Sequence, residues 1–391
     1  MNLDFGIGNK IVDFCSMAGI YIHIPFCKQA CHYCNFYFTT SLTQKQNLVE
    51  AIIREIELSK DYLSGETIET IYFGGGTPSL LGGDEIKVIL ETIYNVHPKI
   101  DLKELTLEAN PDDLTPEKIR ELASLKNLGL DRLSIGIQSF HDADLIYMNR
   151  AHNSGEALEA IKRAQGVGFS NLTIDLIYGT PTMSDDAWLS NIHQAFDLGI
   201  SHISSYALTV EAKTNLDRNI KKGKSQPVDE VQSSRQFDIL MREMATHGYD
   251  QYEISNFALP GKHAIHNTNY WRGQKYLGLG PSAHSFDGQS RRWNVANNQN
   301  YIKSIAEGII PFEVEHLTPA QQTNEYLMTS LRTMWGSDMS KLQTENHKSQ
   351  VLEALKEIDP SFYTIHADVL KLTQQGKHFA DRIASDLFID E

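Results

Sequence analysis

Residues 19–34 read Gly-Ile-Tyr-Ile-His-Ile-Pro-Phe-Cys-Lys-Gln-Ala-Cys-His-Tyr-Cys. The apolar, β-branched run up to Pro25 is a strand pattern, and Cys27, Cys31 and Cys34 follow it directly on a short loop. A fully closed iron-sulfur cluster takes four cysteine ligands, so three leave one iron free to bind something exchangeable. In a β/α fold such a loop stands where active residues gather, at the C-terminal end of a strand.

Working outward, the same alternation of short apolar strands and amphipathic helices continues to about residue 208. Strands are expected at 20–26, 68–73, 104–108, 132–138, 172–177 and 202–208. Helices are expected near 44–63, 84–94, 115–125, 154–167, 184–198 and 229–247, several opened by Ser, Thr or Asp. Strands alternating with helices give a parallel sheet with the helices outside. Six units are too few for a closed eight-stranded barrel, so the expected fold is α/β, a partial (β/α)6 TIM-like barrel open on one side. It would occupy residues 19–250, after an arm at 1–18 and before a connecting segment at 251–315. Residues 316–391 read as a small, mainly helical, winged-helix-like domain, with helices near 318–334, 337–342 and 350–358 and a strand at 370–373.

The 391 residues carry a formal charge of -15, which argues against a surface that follows nucleic acid phosphates or anionic lipid. Only Cys15 lies outside the cluster of three, so there is no disulfide framework, and a reducing compartment, the cytoplasm, is expected. The first 17 residues lack the basic start and apolar core of a signal peptide, and no run of about 18 apolar residues occurs. Neither nucleic acid binding nor membrane insertion is expected. Met17 is an alternative start to Met1.

Reading only the remaining strand ends gives Gly74-Gly75-Gly76-Thr77-Pro78, then Glu108, Gln138, Asp175 and Tyr206-Ala207. Glycines after a strand commonly make only a tight turn, and a polar residue there is often simply solvated. Converging on one mouth, however, they offer backbone donors, carboxylates for an ammonium or ribose hydroxyls and, with Arg150, a guanidinium for a carboxylate. The direction of Arg150 is not readable from sequence. For the cysteines, a structural zinc completed by His23 or His32 is the alternative, but it usually comes as two paired ligand couplets, and no second couplet exists. Further on, His263-Ala-Ile-His266-Asn-Thr-Asn-Tyr270-Trp271 sets histidines beside aromatics. His266 is the candidate there for a heme iron, ahead of His263 and His284, although a loop histidine is more often a plain hydrogen-bonding residue.

Cys27-Xaa3-Cys31-Xaa2-Cys34, with Tyr33 before the last cysteine and the glycine run after the second strand, resembles the radical S-adenosylmethionine superfamily. Residues 21–27, 175–181 (Asp-Leu-Ile-Tyr-Gly-Thr-Pro) and 266–271 look like the branch that holds oxygen-independent coproporphyrinogen III oxidase and a related heme chaperone. The resemblance implies a 4Fe-4S cluster on the three cysteines, with S-adenosylmethionine on the open iron, cleavable by one electron to a 5'-deoxyadenosyl radical. It implies Tyr21, Tyr33, Gly75, Gly76, Thr77, Glu108, Gln138, Arg150, Asp175 and Ala207 as the S-adenosylmethionine shell, Ala207 acting through its backbone. The oxidase pattern has a fourth cysteine where this chain has Phe36, and a longer N-terminal arm. Both departures point to the chaperone side, where the His-Asn-Xaa-Xaa-Tyr-Trp motif is associated with heme, so His266 becomes the expected heme contact. The implied partners are heme and a heme-acceptor protein.

Overall fold

The computed structural model describes residues 17–390. The first half of the chain forms β1 (Met17–Ile24), α1 (Lys45–Leu58), β2 (Thr67–Gly75), α2 (Gly83–Val96), β3 (Ile100–Ala109), α3 (Pro116–Ser124), β4 (Arg132–Gln138), α4 (Asp142–Tyr147), α5 (Ser154–Gly166), β5 (Asn171–Tyr178), α6 (Asp185–Asp197) and β6 (His202–Ala207). It continues as α7 (Asn215–Lys221), α8 (Glu230–Thr246), β7 (Asp250–Glu253), β8 (Asn256–Ala258), α9 (Ile265–Trp271), β9 (Lys275–Leu279), β10 (His284–Phe286), β11 (Ser290–Asn294), α10 (Asn298–Ala306) and β12 (Phe312–His316). The C-terminal part adds α11 (Pro319–Ser330), β13 (Ser337–Asp338), α12 (Glu345–Ala354), β14 (Tyr363–His366), β15 (Val369–Leu372) and α13 (Ala380–Asp386).

The six expected strands pair in parallel in the order β1-β2-β3-β4-β5-β6. Their side chains alternate between two chemistries. Ile20, Ile22, Ile71, Phe73, Leu105, Leu107, Leu133, Ile135, Leu172 and Ile174 are buried in the main core. The residues between them, among them Tyr72, Glu104, Glu108, Arg132, Thr173, Asp175 and His202, line a polar lumen. Thr115, Asn153, Ser184 and Asp229 cap their helices by accepting a backbone N–H, which is why those helix starts were legible.

Several boundaries differ from expectation. β1 begins at Met17, so the last two residues of the expected arm belong to the sheet; the rest of the arm, with Cys15, lies outside the described residues. The segment at 251–315 does more than connect. β8 pairs antiparallel with β6 and brings β7, while β9 pairs parallel with β1 and leads to β10, β11 and β12, so the sheet grows at both edges to twelve strands. In the tail, 337–342 is not an α-helix: β13 pairs with β15, and Asp338 accepts the Ser340 N–H in a single 3-10 turn. The next helix starts earlier than expected, at Glu345, because Thr344 caps it. α11, α12 and α13 enclose their own apolar cluster beside the three-stranded sheet β13-β15-β14, a winged-helix-like arrangement. Among the described residues, no helix is long and apolar enough to cross a membrane.

Candidate functional site

The chain leaves β1 through Pro25 and must turn to place three cysteines over the strand ends. Thr39 closes that turn, donating its N–H to Pro25 O at 2.7 Å and accepting from Cys27 N–H at 3.0 Å. The far side of the loop docks on the segment after α4. His32 N–H reaches Met148 O at 3.0 Å, Gln29 donates to Asn149 O at 2.9 Å, and Asn149 Nδ2 returns a bond to Ala30 O at 2.8 Å. This docking delivers the next residue, Arg150, into the mouth. Its guanidinium spans Cys31 Sγ at 3.3 Å, Tyr33 Oη at 3.4 Å, Asn110 Oδ1 at 2.6 Å and Gly136 O at 2.8 Å.

The glycine run after β2 is dictated by space. Gly75 has φ +107, a conformation L side chains rarely adopt. A Cβ on Gly76 would stand 2.6 Å from Phe26 O, against the backbone of the cysteine loop itself. Gly76 N–H donates to Ile24 O at 2.8 Å, so β1 and the glycine loop are held as one surface. Gln138 ends β4 at φ 68, a left-handed conformation unusual for a residue with a side chain and of the kind that gathers at functional sites.

Together these elements line a cavity of about 430 Å³. Its walls include the three cysteines, Tyr33, Gly75, Gly76, Thr77, Glu108, Gln138, Arg150, Asp175 and Ala207, with Phe36 on its rim at 69 % exposure. Sequence reasoning missed Asn110, which donates to Thr77 Oγ1 at 3.0 Å while accepting from Arg150. Its place two residues after Glu108, at the end of β3, was the available signal.

Burial governs the charges. Glu108 accepts from Tyr72 Oη at 2.7 Å and Gly75 N–H at 3.2 Å, yet desolvation, opposed by the Tyr72 bond, raises its pKa to about 7. Asp175, facing it across the lumen, is raised by burial to about 6. An arriving cation would favour the ionised form of both. Burial likewise lifts the Cys27 thiol to about 11 and raises Cys34, so metal uptake must displace protons. All three thiols are free. Among the described residues, no group of three His, Cys, Asp or Glu gathers around one point as a single ion requires. His23 has Nδ1 on Tyr21 Oη and Nε2 on Tyr37 O, so it offers no nitrogen to a zinc. Three thiols in the lining of one cavity, beside exposed backbone donors and carboxylates, could hold an iron-sulfur cluster together with an amino-acid ligand.

Two expected residues do not reach the cavity. Tyr21 sits below it, its ring 6.0 Å from that of Tyr72. His266 lies deeper in the lumen, facing the early residues of β1 and β2. Its Nδ1 meets Thr70 Oγ1 at 2.8 Å, and its ring stacks on Tyr72 with centroids 5.0 Å apart. The Glu104 carboxylate holds it there by accepting the N–H groups of Ile265 and His266, the first turn of α9. Burial lowers the His266 pKa to about 4, which keeps the imidazole neutral. His263 bonds Asp250 at 3.1 Å and stacks on Tyr252, and His284 stacks near Trp293 at the surface.

Comparisons with known proteins agree with this geometry. Residues 21–195 match the Radical SAM superfamily. The heme chaperone HemW of Bacillus subtilis is 35 % identical, covering 94 % of this chain and 98 % of its own length. The Mycobacterium tuberculosis HemW is 32 % identical over 94 % of each chain. Among solved structures, the radical SAM enzyme coproporphyrinogen III oxidase (HemN) of Escherichia coli superposes with a TM-score of 0.81 over 95 % of this chain and 90 % of the oxidase, at 20 % identity, a likeness of fold. The chain belongs to the HemW family within the radical SAM superfamily.

Proposed function

We propose that this protein is a cytoplasmic heme chaperone that holds a 4Fe-4S cluster and S-adenosylmethionine, binds heme and passes it to an acceptor protein. The observation that carries the reading is its relation, over nearly the full length of both chains, to curated heme chaperones. Cys27, Cys31 and Cys34 would hold the cluster, which when bound supplies one-electron reduction of the sulfonium. Arg150, fixed by Asn110 and Gly136, sets the position of Cys31 and offers charge to the ligand carboxylate. Glu108 and Asp175 face the cationic parts, and Gly75, Gly76, Thr77, Gln138, Tyr33 and Ala207 shape the walls. Tyr21 supports this shell from beneath, through Tyr72 and Gly74.

His266 is the proposed heme ligand. A neutral imidazole with Nδ1 held by Thr70 presents Nε2, as a metal-binding histidine does. The cysteine cavity does not include His266, which keeps the proposed heme contact separate from the cluster. The test is heme titration of the anaerobically reconstituted protein. One heme per chain is expected; Cys31→Ala should lose the cluster, and His266→Ala should keep the cluster and weaken heme binding. No stoichiometric heme would refute the reading, and turnover of coproporphyrinogen III would favour the oxidase instead.

A further inference from the structure

A second cavity, of about 1090 Å³, opens between the β6 edge of the barrel and the C-terminal winged-helix-like part. That is at the upper limit for a small-molecule site, so it suits a large ligand. Tyr206, Ala207, Leu208 and Thr209 line both this cleft and the cysteine cavity, so the two are neighbours across one short segment. Tyr206 and Phe379, each 44 % exposed, and Val210, 39 % exposed, present apolar surface to it.

The charges are as informative as the shape. In a chain of net charge -15, the cleft wall carries Lys377, Arg332 and Arg382 against Glu230 and Asp381, with His378 already bonded to Ser234 and Asp238. Arg332 is committed to Glu253 and Asp381. Arg382 has only a 3.6 Å approach to Asp386 on an otherwise exposed side chain. Lys377 forms no ion pair among the described residues; its Nζ rests on the neutral Gln251 Oε1 at 2.8 Å while the cleft walls desolvate it. A half-buried cation without a carboxylate is costly, and an anionic ligand relieves that cost.

Resting on the heme-carrying reading above, we propose that this interdomain cleft is where the tetrapyrrole docks, its faces against Tyr206 and Phe379 and its two carboxylates on Lys377 and Arg382. Docking of this kind grips the macrocycle and its carboxylates and needs neither the iron nor His266. Motif and cleft still touch, since Trp271 of the His266 helix lies under the Arg332 guanidinium at 5.4 Å.

Iron-free protoporphyrin IX is therefore the probe, followed by fluorescence quenching on the cluster-loaded protein. Wild type should bind it, one per chain. Lys377→Glu with Arg382→Glu should weaken it at least tenfold at unchanged cluster content, and the dimethyl ester should not bind. The exposed Lys371→Glu, outside the cleft, should bind as wild type. If the double variant fails to fold, Arg382→Glu alone carries the test, with a loss of at least threefold expected. Heme bound normally but protoporphyrin refused, or both cleft variants binding as wild type, overturns the cleft and leaves the chaperone reading standing. Neither porphyrin bound by wild type overturns both.

Discussion

Replacing Glu104 by Leu perturbs the contact that seats the His266 helix. Glu104 and Arg132 form an ion pair of 3.3 Å with both side chains 3 % exposed, and the same carboxylate accepts the Ile265 and His266 N–H groups at 2.8 and 3.1 Å. Removing one partner of a buried pair strands the other, at about 3–5 kcal/mol. Loss of the helix N-terminal acceptor adds about 1 kcal/mol. Glu104→Leu should therefore lower unfolding free energy by about 4–6 kcal/mol, and Arg132→Met by about 3–5 kcal/mol. Exchanging the whole pair removes the stranded charge, so the double variant should be more stable than either single, by about 2 kcal/mol. Urea unfolding of the four proteins, followed by circular dichroism, closes the cycle. Hydrogen exchange supplies the local readout: the amides at 265 and 266 should exchange faster in Glu104→Leu, while those of β2 keep their protection. If the two single losses simply add, or exchange at 265–266 is unchanged, Glu104 is not what holds His266 in the lumen.

The remaining predictions concern the mouth and the core. Gly76→Ala should force the cysteine loop off β2, because the added Cβ meets backbone atoms of Ile24 and Phe26; iron and sulfide per chain should fall below half of wild type, while Gly166→Ala, with open space around it, keeps them. Cluster uptake should be pH dependent: the Cys27 thiol, raised to about 11, and the Cys34 thiol, also raised, must both ionise to bind, so the affinity of the metal-free protein for the cluster should rise by at least about tenfold per pH unit between 7 and 9, and a flat profile would contradict ligation by these thiols. Glu55→Ala leaves Gly280 N–H, Asn294 Nδ2 and Tyr301 Oη without their buried acceptor, an expected loss of about 3 kcal/mol or more in chemical denaturation; a loss under about 1 kcal/mol would count against it.

The barrel was legible because short β-branched runs recur between amphipathic helices, and strands such as Glu104–Glu108 and Arg132–Gln138 alternate apolar residues with polar ones or glycine over at least five positions. β7 to β12 were not, since strands such as Asn256–Ala258 and His284–Phe286 are three residues long and take their pairing from β6 and β9 rather than from any local pattern. The mouth was readable wherever a residue ends a strand, as Glu108, Gln138 and Ala207 do. Arg150 owes its direction to tertiary docking of Asn149 on Ala30, which no spacing encodes. His266 shows the converse. Its motif was plain in sequence, but the carboxylate that draws it inward belongs to Glu104, 162 residues earlier.

Heme binding and porphyrinogen turnover, measured side by side on one anaerobic, cluster-loaded preparation with S-adenosylmethionine and a reductant, test the central claim most directly. The chaperone account predicts one heme per chain, released to an acceptor protein, and no consumption of coproporphyrinogen III. Decarboxylation of coproporphyrinogen III without stoichiometric heme binding would contradict it.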